Sequence, residues 1–216
     1  MENALTLLAA YTFAKSIDYD GTPQDAYDLK SNRGPSGFVP AQRFTMSTVY
    51  SLPFGKTHRW GDWSGILQGV FGGWQISGIL TLQSGFALTP SISRVDRSQT
   101  GGLADRPNLI GDPTLSHKIP EKWFNGAAFE MNPIGTFGNA GKGLIIGPGI
   151  NTLDFSFMKV FRIREHHDLQ FRAEMFNCFN TPNFNDPNVD ATSVQFGQIT
   201  SAKTARQIQF GLRYTF

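Results

Sequence analysis

Four histidines, a single cysteine and one glycine-rich run ending in a lysine are the residues in these 216 that chemistry could most readily use. His58 and His117 stand alone, whereas His166 and His167 adjoin Glu165 and Asp168, a set with the donor atoms of a metal site. Neighbours on a strand point to opposite faces, so that pair does not converge on one ion and reads as a solvated turn. Cys178 is alone, which excludes an intrachain disulfide and a Cys-rich metal site; it reads as a small side chain in a strand. The run Gly135 to Gly143 has the outline of a phosphate loop, but Thr136 stands where the pattern needs glycine and Gly143 follows Lys142 where it needs Ser or Thr. Asp105-Arg106-Pro107-Asn108, with Trp123, Phe124 and Phe137, puts charge and aromatic faces on one long loop. Asp105, Arg106, Trp123 and Phe124 are therefore candidate ligand contacts, although turn-making and loop packing account for them equally well. No catalytic residue, metal site or cofactor is expected.

The elements beneath these residues read as strands. Only 17 % of the chain is charged, against 23 glycines and 19 phenylalanines, a balance suited to a β-rich protein whose outside does not everywhere face water. A net charge of +2 without a Lys/Arg run excludes nucleic acid as a partner. No apolar stretch approaches the ~18 residues of a spanning helix, and Met1-Glu-Asn-Ala4 is not a basic-then-apolar leader. A membrane would thus be reached by strands, with the export signal on sequence before Met1.

Period-two alternation predicts six strands. In the first, Leu5, Leu7, Ala9, Tyr11 and Phe13 oppose Thr6, Leu8, Ala10, Thr12 and Ala14. The second sets Phe44, Met46, Thr48, Tyr50 and Leu52 against Arg43, Thr45, Ser47, Val49 and Ser51. Trp74, Ile76, Gly78, Leu80 and Leu82 mark the third, with a short apolar turn around Ile66 to Phe71 in the connection that also carries Trp60 and Trp63. Leu153, Phe155, Phe157 and Phe161 mark the fourth; Leu169, Phe171, Ala173, Met175 and Phe179 mark the fifth, opposite Asp168, Gln170, Arg172, Glu174 and Cys178. The last is the cleanest: Ile208, Phe210, Leu212, Tyr214 and Phe216 on one side, Gln207, Gln209, Gly211, Arg213 and Thr215 on the other.

The fold class expected is all-β, an antiparallel up-and-down meander. Counted back from Phe216 the connections run long, short, very long, intermediate, long, so the longest fall at one end of the sheet. Bacterial outer-membrane barrels show that asymmetry. Arg43, Gln75, Gln83, Asp154, Gln170, Arg172, Glu174, Gln209 and Arg213 are then lumen-facing, with Glu174 able to pair with Arg172 or Arg213 across the ladder. Lys159 and Asn177 break the apolar face, near strand ends where a long side chain can snorkel. Six strands fall short of the roughly eight of the smallest barrels, and open edges in lipid leave backbone groups unsatisfied. The chain is expected to be an incomplete segment of a barrel: part of a longer protein, or a subunit that associates with copies of itself.

Several phrases resemble the C-terminal barrel of TonB-dependent receptors of the Oar-like type: Ala10-Tyr-Thr-Phe-Ala-Lys-Ser-Ile17, Leu52-Pro-Phe-Gly55, Gly73-Trp-Gln-Ile-Ser-Gly78 with Leu82-Gln-Ser-Gly85, Ala104-Asp-Arg-Pro-Asn108, Trp123-Phe-Asn125 with Gly135-Thr-Phe-Gly-Asn-Ala140, and Phe171-Arg-Ala-Glu-Met-Phe-Asn177 before Asn183-Phe184. They run over essentially residues 1–216. The positions Gln209, Gly211, Tyr214 and Phe216 also resemble the C-terminal signal by which the barrel assembly machinery recognises outer-membrane barrels. The resemblance implies a plugged barrel of about 22 strands in the bacterial outer membrane, with lipid around it. It also implies uptake driven by TonB, which grips an N-terminal plug. Neither plug, TonB box nor carboxypeptidase-like regulatory domain is found in these residues. Siderophore, oligosaccharide and peptide all remain open as substrate. A structural or adhesive barrel and a soluble β-sandwich binding module are the alternative readings.

Overall fold

A computed structural model describes residues 5–54, 66–102, 105–164 and 166–216. His58, Trp60, Trp63, Ala104 and Glu165 lie outside the described residues. Six strands form one antiparallel sheet: β1 (Leu5–Phe13), β2 (Gln42–Ser51), β3 (Trp74–Gln83), β4 (Ile150–Arg164), β5 (His167–Phe176) and β6 (Gln207–Thr215). Each pairs with its neighbour in sequence, so the spatial order is the chain order. A helix, α1 (Ile66–Phe71), lies between β2 and β3. The connections 14–41, 84–149 and 177–206 leave from one end of the sheet; the connection from β2 to β3 and the turn from β4 to β5 leave from the other. A bulge between Arg162 and Arg164 brings the chain into that turn.

Because side chains alternate at every step, the register decides what each face carries. One row runs Leu5, Tyr50, Ile76, Phe157, Ala173, Phe210 across all six strands. The next runs Leu7, Thr48, Gly78, Phe155, Met175, Ile208. No second sheet among the described residues covers this apolar face; only the end of α1 meets it, at the rim beside Trp74 and Lys159. Phe210 and Leu212 on the edge strand β6 are 73 % and 71 % exposed, and every residue of β1 is exposed. A sandwich would bury that face under a second sheet, so this architecture is not one. No described helix is long and apolar enough to cross a membrane.

The buried apolar cluster sits instead in the long connections. Phe124, Ala128, Phe129, Ala140 and Ile145 form it, with Trp123, Val189 and Phe196 packed against them. The segment 84–149, which lacks sustained alternation, is thus a folded body and not a slack loop. Its short strand pairs, Ala87–Leu88 with Ile145–Ile146 and Asn108–Leu109 with Phe129–Glu130, are too brief to leave a periodic signal.

The fifth strand ends earlier than the alternation indicates. Asn177 and Asn180 adopt φ of 49° and 54°, the left-handed region that Asn tolerates better than most residues, and this turns the chain out of the sheet after Phe176. Cys178 and Phe179 therefore belong to the turn and not to the strand. Asn177 is no lapse in the apolar face. Its side chain braces the turn, donating to Thr181 O (3.0 Å) and accepting from Thr181 N (3.0 Å).

Candidate functional site

The polar face is a continuous surface whose members come from all six strands. Arg43, Gln75, Asp154, Arg172, Glu174 and Arg213 share it by register: Arg43 lies opposite Gln83, Gln75 opposite Met158 opposite Arg172, and Arg213 opposite Gln170. Toward the long-loop end Ser77, Asp154, Ser156, Arg172 and Glu174 line a cavity of about 200 Å³. Ser77 Oγ and Ser156 Oγ are 2.8 Å apart, Gln209 Nε2 donates to Glu174 Oε2 at 2.5 Å, and Arg172 lies 3.5 Å from Glu174 Oε1. Arg213 sits two rows from Glu174, so the carboxylate's cross-strand partner is Gln209. Asp154 is committed at the long-loop end, accepting from Asn177 N at 2.9 Å. Alternation marks the Ser77–Ser156 pair as sharing a face only once the strand register is known, which is why inspection of single strands missed it. Chemically the face is a wall of donors and acceptors, with the Arg172–Glu174 charge pair leaving little net field.

At the terminal strand, Tyr214 stacks on His167 (5.9 Å, 16°), and Tyr214 OH is 2.6 Å from His167 Nδ1. His167 is thus half-buried against a ring and not simply a solvated turn residue. Tyr214 and Phe216 rings lie 5.8 Å apart, extending an aromatic band along the short-turn rim. A Cβ at Gly211 would meet Arg172 Cβ at 3.9 Å, an ordinary contact, so packing does not itself require glycine there.

The loop candidates have a different fate. Asp105 is 1 % exposed, its carboxylate accepting from Arg97 N (2.6 Å) and Ser98 N (2.8 Å). Arg106 is 4 % exposed, and its guanidinium donates to Ser31 O (2.9 Å) and Asn32 Oδ1. Burial lowers its pKa from the ordinary arginine value, but the group stays charged. Phe124 is 2 % exposed, edge-on to Phe129 (5.9 Å) and Phe196 (5.0 Å). Trp123 lies half-buried with Nε1 on Ile146 O at 2.9 Å and Lys118 Nζ 5.3 Å from its ring centre. Asp105, Arg106 and Phe124 therefore hold the loop body together and are not offered to a ligand. Buried polar groups of this kind need partners: those of Asp105 are seven and eight residues back on the same connection, whereas those of Arg106 lie on the connection 14–41, which no local motif reveals.

The same ties join all three long connections. Lys142 pairs with Asp18, and its hydrogen bond, helped by Ser36, holds the Asp18 carboxyl below the usual aspartate range. Ser91 N donates to Val189 O (2.9 Å) and Trp123 N to Gly197 O (2.8 Å). Asn183 accepts from Asn151 N (2.7 Å) and donates to Asn151 O (3.1 Å), mimicking a strand neighbour at the start of β4. The glycine-rich run serves this packing: a Cβ at Gly138 would lie 1.8 Å from Arg106 O, and Gly135 and Gly143 have φ of 77° and 67°. Only glycine accepts such positions readily. Among the described residues no group of three or more His, Cys, Asp or Glu could hold a metal.

A family model described as an outer membrane beta barrel domain matches residues 1–209. No curated protein and no solved structure matches the chain.

Proposed function

This chain belongs to the outer membrane beta barrel domain family, and from that membership we propose that it forms the C-terminal part of the barrel wall of an Oar-like TonB-dependent receptor. Its place is the outer membrane, and its fold is that of a barrel segment. The observation that carries the wall reading is an open six-stranded sheet with one apolar face that no second described sheet covers, one hydrogen-bonded polar face and exposed strands at both edges. Such a sheet needs further strands to close in lipid. The finer reading, energised uptake of a scarce substrate, is supported by the phrases from Ala10 to Phe184 that resemble those receptors.

In this reading lipid meets the apolar face, and Arg43, Gln75, Asp154, Arg172, Glu174 and Arg213 line a water-filled interior. The loop body stands on the outer side, and TonB acts through a plug carried by another part of the protein. One observation favours an adhesive role as second reading: the packed loop body holds Tyr27, Phe38 and Val194 out at 100, 76 and 98 % exposure. Sequencing the reading frame immediately upstream of Met1 separates the two. A plug and TonB box are expected; an upstream frame that encodes only further strands rejects transport.

Gln209, Gly211, Tyr214 and Phe216 are proposed as the signal read by the barrel assembly machinery. Phe216 is 88 % exposed, and its described ring contact is with Tyr214 two residues before it in the same chain end. Phe216→Ser is therefore expected to lower the amount of inserted protein severalfold while leaving the stability of what does insert within about 0.5 kcal/mol. Unchanged insertion, followed by heat-modifiable gel migration of outer membranes, removes the signal role.

A further inference from the structure

The end of α1 is bonded to two side chains of the apolar face. Trp74 and Lys159 are register partners on the apolar face, beside Phe171 and Leu212. Both reach the end of α1: Trp74 Nε1 donates to Val70 O at 2.8 Å and Lys159 Nζ to Gly72 O at 2.6 Å. The end of the helix is therefore fastened against the apolar face, at the rim that carries the short turn. Lys159 is 3 % exposed, with its ammonium 5.5 Å from the Trp74 ring centre and 5.0 Å from that of Phe161.

Helix ends leave carbonyls without partners. Water would satisfy them at no structural cost, whereas at a lipid boundary each must find a donor within the protein. Here an indole and a buried ammonium supply the donors for Val70 and Gly72. Leu67 and Val70, three residues apart and so on one helix face, remain 55 % and 50 % exposed. Apolar side chains outward and capped carbonyls inward, continuous with the lipid-facing wall, fit an interface between headgroups and acyl chains.

We propose that α1 is an interfacial anchor lying on the inner, periplasmic-side leaflet of the outer membrane, with Leu67 and Val70 among phospholipid headgroups and upper acyl chains and Lys159 and Trp74 clamping it to the barrel wall. This rests on the reading that the apolar face meets lipid. Lysine on that face is then no intrusion. It is the clamp.

The test uses the protein purified from outer membranes and reconstituted in phosphatidylethanolamine–phosphatidylglycerol vesicles. In a Cys178→Ser background, Leu67→Cys, Phe210→Cys and Tyr27→Cys each carry an environment-sensitive fluorophore. The Leu67 site is expected to lose about half its emission to phospholipid spin-labelled near the headgroup and little to aqueous iodide, in keeping with a helix buried to the headgroup boundary. Tyr27 should respond to iodide alone and Phe210 to lipid spin-labelled along the chain. If Leu67 behaves like Tyr27 while Phe210 stays lipid-quenched, the anchor is refuted and the lipid-facing wall survives. If Phe210 also answers only to iodide, the premise fails and the anchor with it. Lys159→Met, which keeps the apolar stem, should reduce headgroup quenching at Leu67 about twofold by releasing the helix end, since its carbonyl loses its donor; an unchanged signal refutes the clamp.

Discussion

Phe155→Arg is expected to destabilise the inserted protein by about 2–4 kcal/mol, and Ser156→Arg, one step along the same strand, by less than about 1 kcal/mol. Phe155 lies in the row Leu7, Thr48, Gly78, Phe155, Met175, Ile208 of the apolar face, where a guanidinium would face hydrocarbon. Its ring packs edge-on to Phe157 at 4.9 Å, so some packing is lost as well. Ser156 lies between Ser77 and Glu174 on the opposite face. An arginine there loses the Ser77–Ser156 hydrogen bond but gains a carboxylate neighbour and water. Urea unfolding of the two variants from lipid vesicles measures the difference. Equal costs at 155 and 156 would mean that the faces do not divide lipid from water.

Phe124→Ala is expected to weaken the outer loop body by about 3–5 kcal/mol, the range for deleting a buried aromatic ring. Phe124, Phe129 and Phe196 contact one another edge-on and come from two different connections, 84–149 and 177–206. Losing the shared ring should therefore loosen both together. The strands are predicted to stay paired, because each is hydrogen-bonded along its length to its neighbours in the sheet and no residue of β1 to β6 belongs to the cluster. Limited proteolysis of intact outer membranes should nick 84–149 and 177–206 far faster in the variant, while heat-modifiable migration persists. Loop cleavage at the wild-type rate would show that the aromatic cluster does not hold the body.

Within the sheet, legibility followed periodicity. The alternation of Ile208, Phe210, Leu212, Tyr214 and Phe216 against Gln207 to Thr215 located β6 to within a residue, and the other strands followed the same rule. Where the rule ended, so did the reading. Asn177 looked like a polar lapse in β5, because a left-handed turn is a property of φ and leaves no mark in a period-two pattern. Lys159 looked like a snorkelling cation, but its partner, the carbonyl of Gly72, is 87 residues away.

The loop candidates show the same limit more sharply. Asp105, Arg106 and Phe124 have the chemistry of ligand contacts, but Arg106 meets Asn32 and Phe124 meets Phe196, both more than 70 residues away, while Asp105 folds back on Arg97 and Ser98 in a body that distant pairs such as Gln24 with Gly138 and Lys142 with Asp18 hold together. By itself the sequence determined the strands, their faces and the end at which the long connections gather, since each follows from the two-residue repeat of an extended chain and from counting. Tertiary structure alone decided that three long connections condense into one body and that a lysine and a tryptophan fasten a helix to the wall. Those outcomes depend on which buried donors and acceptors find each other across many residues, and no local pattern encodes that choice.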